Sequence, residues 1–432
     1  MGKVFVFGGG GGTAEEQDIL PVLNPPTVTL TGRAMQIKNP STNGNFSDRI
    51  KVYANDSEKG EGTDLSYDLY TYFDEDGTYS LYAKCAGDKF QDSLPSNAVS
   101  FTKYTPQGGV VWSGYVDPLS APRYQPVAGR VGNYILFIRG SNTNQKQVDV
   151  YDSSLTHTVP TLFSATGSTQ PTAVTLGDQL IVVGVNGTQV YVFSEDLTST
   201  FATELPSFTD SPGGAVAGEN ALFAGGQWGG KTSGTAIAYN KELVQITADA
   251  LPTPRYNVAA ASAGKNVIIS PGLNSSNRGC YDIDAYDETL ARQSLNGIGY
   301  DFESASALTF DQYAMFTGGY SSSAGYLKIA NTYDGLLTRT SLDSLSVEKK
   351  SHASVKIDGY AIVAGGIGKG AQSVKGNVDV FDLYLTKSVA TDLGVARYQL
   401  AAGEIGGFAL FAGGDATGGV PMDSVEVFTI QA

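Results

Sequence analysis

One short pattern, repeated seven times, limits what this chain can fold into more than any other feature. An aromatic residue is followed by a polar one and, in six copies, by a leucine three positions later. The aromatics are Tyr151, Phe193, Tyr239, Tyr286, Tyr333, Phe381 and Phe428, spaced by 42, 46, 47, 47, 48 and 47 residues. The polar followers include Asp152, Asn240, Asp287, Asp334 and Asp382, and the leucines include Leu155, Leu197, Leu243, Leu290 and Leu385. Upstream of each aromatic, in the same phase, an apolar run ends in a glycine pair or its remnant: Arg139-Gly140, Gly184-Val185, Gly225-Gly226, Pro271-Gly272, Gly318-Gly319, Gly365-Gly366 and Gly413-Gly414. Before the run comes a hairpin signal such as Gly218-Glu219-Asn220, Gly264-Lys265-Asn266 or Asp358-Gly359, built from residues that accept positive φ. Each unit of about 47 residues therefore reads as four antiparallel strands. Such a unit cannot bury both faces alone, so the copies must pack side by side, and twisted sheets of this period arrange radially.

The ends of the repeat predict how the array closes. The last copy stops on its third strand, at residues 425–430, and lacks a fourth. Residues 109–115, with Val110, Val111 and Trp112, supply a matching strand ahead of the first copy. Composition agrees with an all-β reading: 53 Gly, 24 Tyr and 19 Phe with only 16% charged residues favour short apolar runs and tight turns.

The glycine pair closing the second strand and the spaced aromatic of the third resemble the kelch repeat, over about 320 residues. The pair is intact in four of seven units, and the late tryptophan usual in the family is missing. The resemblance implies an all-β, seven-bladed kelch-like β-propeller over residues 109–432. Ahead of it, residues 25–104 read as alternating strands at 27–30, 35–37, 50–54, 78–84 and 98–102, with a turn at Asp74-Glu75-Asp76-Gly77. This segment resembles a fibronectin type III or immunoglobulin-like β-sandwich, with Tyr79 placed like a tyrosine-corner residue and Ser96-Asn97-Ala98-Val99 like the last strand. Residues 105–108 form a linker between the two.

Residues 1–24 are a separate, Gly-rich segment. A strand-like stretch at 3–7, five glycines at 8–12 and a possible helix at 13–19 imitate a phosphate-binding turn. No Lys-Ser/Thr follows the glycines, and Pro21, Pro25 and Pro26 prevent a βαβ unit, so nucleotide binding is rejected. Met-Gly-Lys-Val-Phe-Val-Phe followed by a glycine run instead resembles the start of phage and prophage tail-associated proteins. The four-residue apolar run at 4–7 is far short of a signal-peptide core or a membrane span, so the expectation is synthesis in the cytoplasm without a signal peptide and without membrane insertion.

A formal charge of −15 with scattered Lys and Arg argues against nucleic acid and anionic lipid as partners. Cys85 and Cys280 fall in different domains, which excludes a disulfide framework. Catalytic chemistry is thinly supplied, because only His157 and His352 exist and both read as surface or turn residues. The carboxylates Asp74, Asp76, Asp282 and Asp284 read as solvated turn residues and not as calcium ligands. No catalytic residue, metal or cofactor is expected.

Three arginines, Arg123, Arg255 and Arg397, each stand in Arg-Tyr between an outer strand and the next inner one. Strand alternation puts that crossing on the same face as the loops after the glycine pairs, at 227–230, 273–279, 320–325, 367–376 and 415–420. The opposite face carries tight hairpins. The loop-rich face is therefore the expected partner-binding surface, with Trp228 and Tyr320 as aromatic anchors and Arg123, Arg255 and Arg397 as charged contacts. A packing role for these arginines is the competing reading, since kelch repeats often carry Arg there. The chain reads as a non-enzymatic recognition protein, a virion component binding a host-surface protein or glycan and joined to other virion proteins through its N-terminal segment. A bacterial kelch scaffold for protein–protein interaction and a carbohydrate-active propeller enzyme are the alternatives.

Overall fold

The computed structural model describes residues 3–5, 16–18, 23–31, 34–38, 49–62, 65–86, 92–103, 108–140, 147–162, 170–185, 187–207, 210–370 and 373–431. The five glycines at 8–12 and linker residues 105–107 lie outside them. The fold is all-β with a single four-residue helix, Leu69–Tyr72, among the described residues. The chain folds as two compact units, Met1–Thr105 and Pro106–Ala432.

The first unit holds a three-stranded sheet (Thr27–Thr31, Ala34–Lys38, Leu65–Asp68) and a four-stranded one (Ser57–Gly62, Arg49–Ala54, Gly77–Ala86, Val99–Lys103). Alternation drives the central strand: in Arg49–Ala54 every second residue is buried. Asn55 and Asp56 turn it with φ of 48° and 63°, the backbone a two-residue hairpin requires. The edge strand Ser57–Gly62, with three charges and no apolar residue, is invisible to a hydrophobic-pattern reading and suits an edge that must not pair further. Tyr79 donates its hydroxyl to the Glu75 carbonyl at 2.8 Å and stacks on Phe73 with ring centroids 3.8 Å apart, so the turn before the strand is locked from both sides. Ahead of these sheets, Glu16–Asp18 is a strand paired with Lys3–Phe5, which corrects the helix expected at 13–19: cross-strand backbone pairing takes the place of local helical bonds.

Among the described residues the second unit contains seven four-stranded antiparallel sheets, numbered I to VII from their innermost strands Val127–Val131, Thr172–Leu176, Gly213–Ala217, Ala260–Ala263, Ser306–Phe310, Ala353–Ile357 and Ala401–Ile405. Each innermost strand neighbours the next, and that of sheet VII neighbours that of sheet I, so the sheets form a closed, propeller-like ring. In sheets I to VI the chain runs outward through all four strands. Sheet VII takes its outer strand from the front of the unit: Gly109–Val116 pairs with Val425–Gln431 from Gly109 opposite Gln431 to Val116 opposite Val425, with one bulge at Ser113. Closure is thus a backbone ladder between residues more than 300 positions apart, tied further by Trp112 Nε1 donating to Glu426 at 2.8 Å.

The core lies between sheets. Leu136, Ile138 and Val150 of sheet I pack on Leu180, Val182 and Phe193 of sheet II, and Leu410, Ala412 and Val427 of sheet VII pack on Ile135, Phe137 and Tyr151 of sheet I. The seven recurring aromatics are all buried on third strands, each worth about 1.5–3 kcal/mol of transfer free energy. Tyr151, Tyr239 and Tyr286 also donate their hydroxyls at 2.7 Å to the carbonyls of Asp117, Thr203 and Asp249. The rest of the motif is the next turn. The Asp152 carboxylate accepts the backbone N–H groups of Ser154 and Thr156, and Asp287, Asp334 and Asp382 repeat the arrangement. The leucine between those donors sits at φ of 56–67° in six sheets. An aspartate or asparagine acceptor is what holds a branched residue in that left-handed conformation.

Candidate functional site at the channel mouth

The glycine pairs explain the arginines. In four units the second glycine donates its N–H to the carbonyl of a cation in the next sheet: Gly226 to Arg255, Gly319 to Lys349, Gly366 to Arg397 and Gly414 to Arg123, at 2.8–2.9 Å. A Cβ on Gly365 would stand 2.6 Å from the Arg397 carbonyl oxygen, so only glycine lets neighbouring sheets approach this closely. The side chain of the same cation turns back into its own sheet. Arg255 pairs with Asp284 and Arg397 with Glu426, both at 2.6 Å; Arg123 pairs with Asp149, and Lys349 with Asp379 at 3.2 Å.

Arg255 and Arg397 are 0% exposed and Arg123 is 3% exposed. The expectation that they offer charged contacts to a partner is therefore corrected: each is consumed inside a different sheet, and they do not gather at the mouth. Each acid takes a second donor from the outer strand, namely His157, Arg292, Lys387 and Trp112 for Asp149, Asp284, Asp379 and Glu426. Asp284 is accordingly buried and ion-paired, not solvated, while Asp74, Asp76 and Asp282 are exposed as expected of turn residues. Burial drives the Lys349 ammonium below its usual range against the pull of Asp379.

Neither histidine is a surface turn residue. His157 bridges Asp149 at 2.7 Å and stacks on Tyr151, whereas His352 is buried behind the sixth crossing with Nε2 2.9 Å from Thr317 Oγ1. Burial, reinforced by Lys349, pushes the His352 imidazole well below its ordinary value, so it stays neutral.

Two positions beyond each of the four cations, and at the same phase in sheets II, III and V, the chain enters the innermost strand through a half-buried polar residue: Gln125, Gln170, Ser211, Asn257, Ser304, Ser351 and Gln399. Six of them hold φ between 52° and 56°. Backbone bonds link neighbours around the ring: Gln125 N–H to the Gln399 carbonyl, Gln399 to Ser351, Ser351 to Ser304 and Ser211 to Gln170, at 2.7–3.0 Å. With the left-handed backbone satisfied in this way, the seven side chains line the mouth of a cavity of about 690 Å³, together with Tyr326, Tyr398 and the Glu303–Lys350 ion pair. Residue types vary round this ring, so sequence reading missed it; the shared signal is the phase two positions after the glycine-pair partner position, which holds a cation in four of the seven sheets.

Hairpins stand around the mouth. In sheets III to VII the residue after the cation position pairs across to the residue after the glycine pair: Asp210 with Gln227, Tyr256 with Leu273, Glu303 with Tyr320, Lys350 with Ile367 and Tyr398 with Asp415. Trp228 lies on the first of these hairpins and is 57% exposed. Tyr320 is half-buried, with the Lys350 ammonium 4.8 Å from its ring centroid and Tyr326 edge-on at 5.3 Å, so it buttresses the Lys350–Glu303 pair as much as it faces solvent. The two anchors stand on different sheets, III and V. Tyr281 and Tyr300, exposed beside sheets IV and V, were not singled out from sequence because they fall outside the repeating motif.

Comparison with known proteins yields a fold and no family. No family model matches the chain, and no curated protein matches it. The solved structure of YjhT superposes with a TM-score of 0.50 at 11% identity, covering 73% of this chain and 97% of that one. At that identity the likeness shows the propeller-like fold alone. Some 383 solved chains match in all, so the architecture is widespread and by itself selects no function.

Proposed function

We propose that residues 109–432 form a seven-bladed kelch-like propeller that recognises a protein or glycan on a cell surface through its loop-rich face, without catalysing a reaction. In this reading each of the seven sheets is a blade, and residues 25–104 are a fibronectin type III-like sandwich. The observation that carries the proposal is the mouth itself. Seven amide and hydroxyl side chains, six of them on a shared left-handed backbone, surround a cavity large enough for a sugar or a peptide turn. Exposed Trp228 stands on a hairpin above it, the kind of aromatic surface that stacks on a sugar ring or anchors a partner. The opening Met-Gly-Lys-Val-Phe-Val-Phe and its glycine run support placement in a virion tail, where residues 1–24 would join other virion proteins.

A glycan array and a binding assay on bacterial cells test the reading. Saturable binding that falls at least tenfold in both Trp228→Ala and Gln399→Ala supports it. Blank arrays and cell assays, or binding indifferent to both variants, remove its basis.

A further inference from the structure

The opposite mouth of the channel is built differently, and its chemistry points to a second ligand. Near the start of each innermost strand stands a small residue: Ala128, Ala173, Gly214, Ala260, Ala307, Ser354 and Ala402. Below it, at the tight-hairpin end, the residue two positions on is Arg130, Thr175, Val216, Ser262, Thr309, Lys356 or Glu404, around a cavity of about 660 Å³. Hydroxyls stitch part of this ring together: Thr175 donates to the Arg130 carbonyl at 2.7 Å, and Thr309 Oγ1 accepts the Ser262 N–H at 2.9 Å.

The charges on this ring do not cancel. Arg130 uses Nη1 on Glu404 at 2.7 Å and Nε on the Gly132 carbonyl at 3.0 Å, and its Nη2 makes no hydrogen bond among the described residues. Lys356, exposed on sheet VI between Thr309 of sheet V and Glu404 of sheet VII, makes no hydrogen bond or ion pair among the described residues. Lys265, also at this mouth, is paired with Glu288 at 2.7 Å. A chain of formal charge −15 thus holds, at one end of a channel walled by alanine and glycine, an ammonium and a guanidinium edge with one acid between them. Concave low-dielectric walls focus the field of such groups on whatever enters.

We infer that this mouth binds a small oxyanion, a carboxylate or a phosphate, through Lys356 and the free edge of Arg130, with the Thr309 hydroxyl proton as a further donor. The site is separate from the loop-rich face and independent of the recognition proposed for it. Glu404 is the built-in competitor: it occupies Arg130 when the site is empty and repels the incoming charge, which sets affinity in the range of an exchangeable ligand.

Isothermal titration calorimetry of the full chain with inorganic phosphate, and separately with succinate, tests this. Saturable binding to at least one probe is expected, weakened about tenfold by Lys356→Gln and weakened again by raising salt from 50 to 300 mM on the order expected of screened charges. Glu404→Gln is expected to tighten binding several-fold, a gain that a damaged fold does not produce. Trp228→Ala on the other face leaves it unchanged. A preference for phosphate or for succinate identifies which oxyanion the spacing fits. No saturable heat with either probe overturns the inference, as does binding that Lys356→Gln and Glu404→Gln both leave unaltered.

Discussion

Sheets III and IV are neighbours in the ring with the same strand order and solve the same packing problem with opposite chemistry. On the third strand of sheet IV, Asp284 lies opposite Ile269 and is held by Arg255 and Arg292. At the same register in sheet III stands Ile237, opposite Phe223 and packed into the apolar cluster with Val183 and Tyr239. Sheet V offers a third solution, Phe302 at the cation position with Asn331 bonded to Ser341. What the repeat demands at this depth is filled volume and satisfied polar atoms. A buried ion pair meets that demand, and so does an isoleucine, because desolvating two charges cancels much of their attraction.

The comparison breaks most violently at closure. Removing residues 109–116 strips sheet VII of its outer strand and leaves Glu426 without Trp112, so the expected outcome is a fall in melting temperature on the order of 10 °C or more; calorimetry showing an unchanged transition would sink the closing role of that strand.

Next in size is the pair itself. Asp284→Ala leaves two arginines facing a buried void and should cost about 3–5 kcal/mol, whereas Arg255→Met with Asp284→Leu, which imitates sheet III, should return to within about 1–2 kcal/mol of wild type. Urea titration of both variants separates the two solutions. A double variant as damaged as the single would mean that sheet IV requires charge.

Protonation gives a smaller effect with a defined sign. His352 is neutral in the fold with its pKa lowered by burial, whereas the unfolded chain takes up a proton near pH 6.5. The unfolded state therefore binds more protons below that value, and stability drops as pH falls. The His352 contribution to that loss reaches about 2 kcal/mol at pH 5. His352→Gln should flatten the difference between pH 7 and pH 5 relative to wild type, measured by urea unfolding. Parallel slopes in the two proteins would contradict a neutral buried imidazole.

Glycines give the finest contrast. Gly365→Ala puts a methyl against the Arg397 carbonyl and is expected to cost about 2–3 kcal/mol from clash and backbone strain together, since φ is +73°. Gly229→Ala, next to Trp228 with nothing within 4 Å of the new methyl, should cost no more than about 1 kcal/mol. Equal losses in thermal melts would mean that φ alone, and not the approach of the neighbouring sheet, governs both positions.

Much of the ring was legible because its signals are local and repeat. The aromatics mark third strands, the aspartates and leucines mark the hairpin that follows, and the glycine pairs mark the end of the second strand. Lys349 stands in the same phase as the three arginines but was passed over, because it appears as Lys-Lys and not as Arg-Tyr. The edge strand Ser57–Gly62 escaped because it has no apolar face to read. For the candidate site, the face that carries the loops follows from strand alternation, yet the three arginines assigned to that surface are buried. Arginine suits a ligand as well as it suits a buried carboxylate, and sequence gives no distance between Arg397 and Glu426.

By itself, then, the sequence determined the repeating unit, its strand directions and the face on which its loops emerge, all of which follow from turn chemistry and alternation within about 47 residues. Only the tertiary structure decided which polar groups face water. The three arginines vanish into carboxylates brought from strands 26 to 29 residues away, while a ring of glutamine, serine and asparagine with no common motif comes to line the mouth. Burial is a property of what neighbouring sheets bring together, and no local pattern carries it.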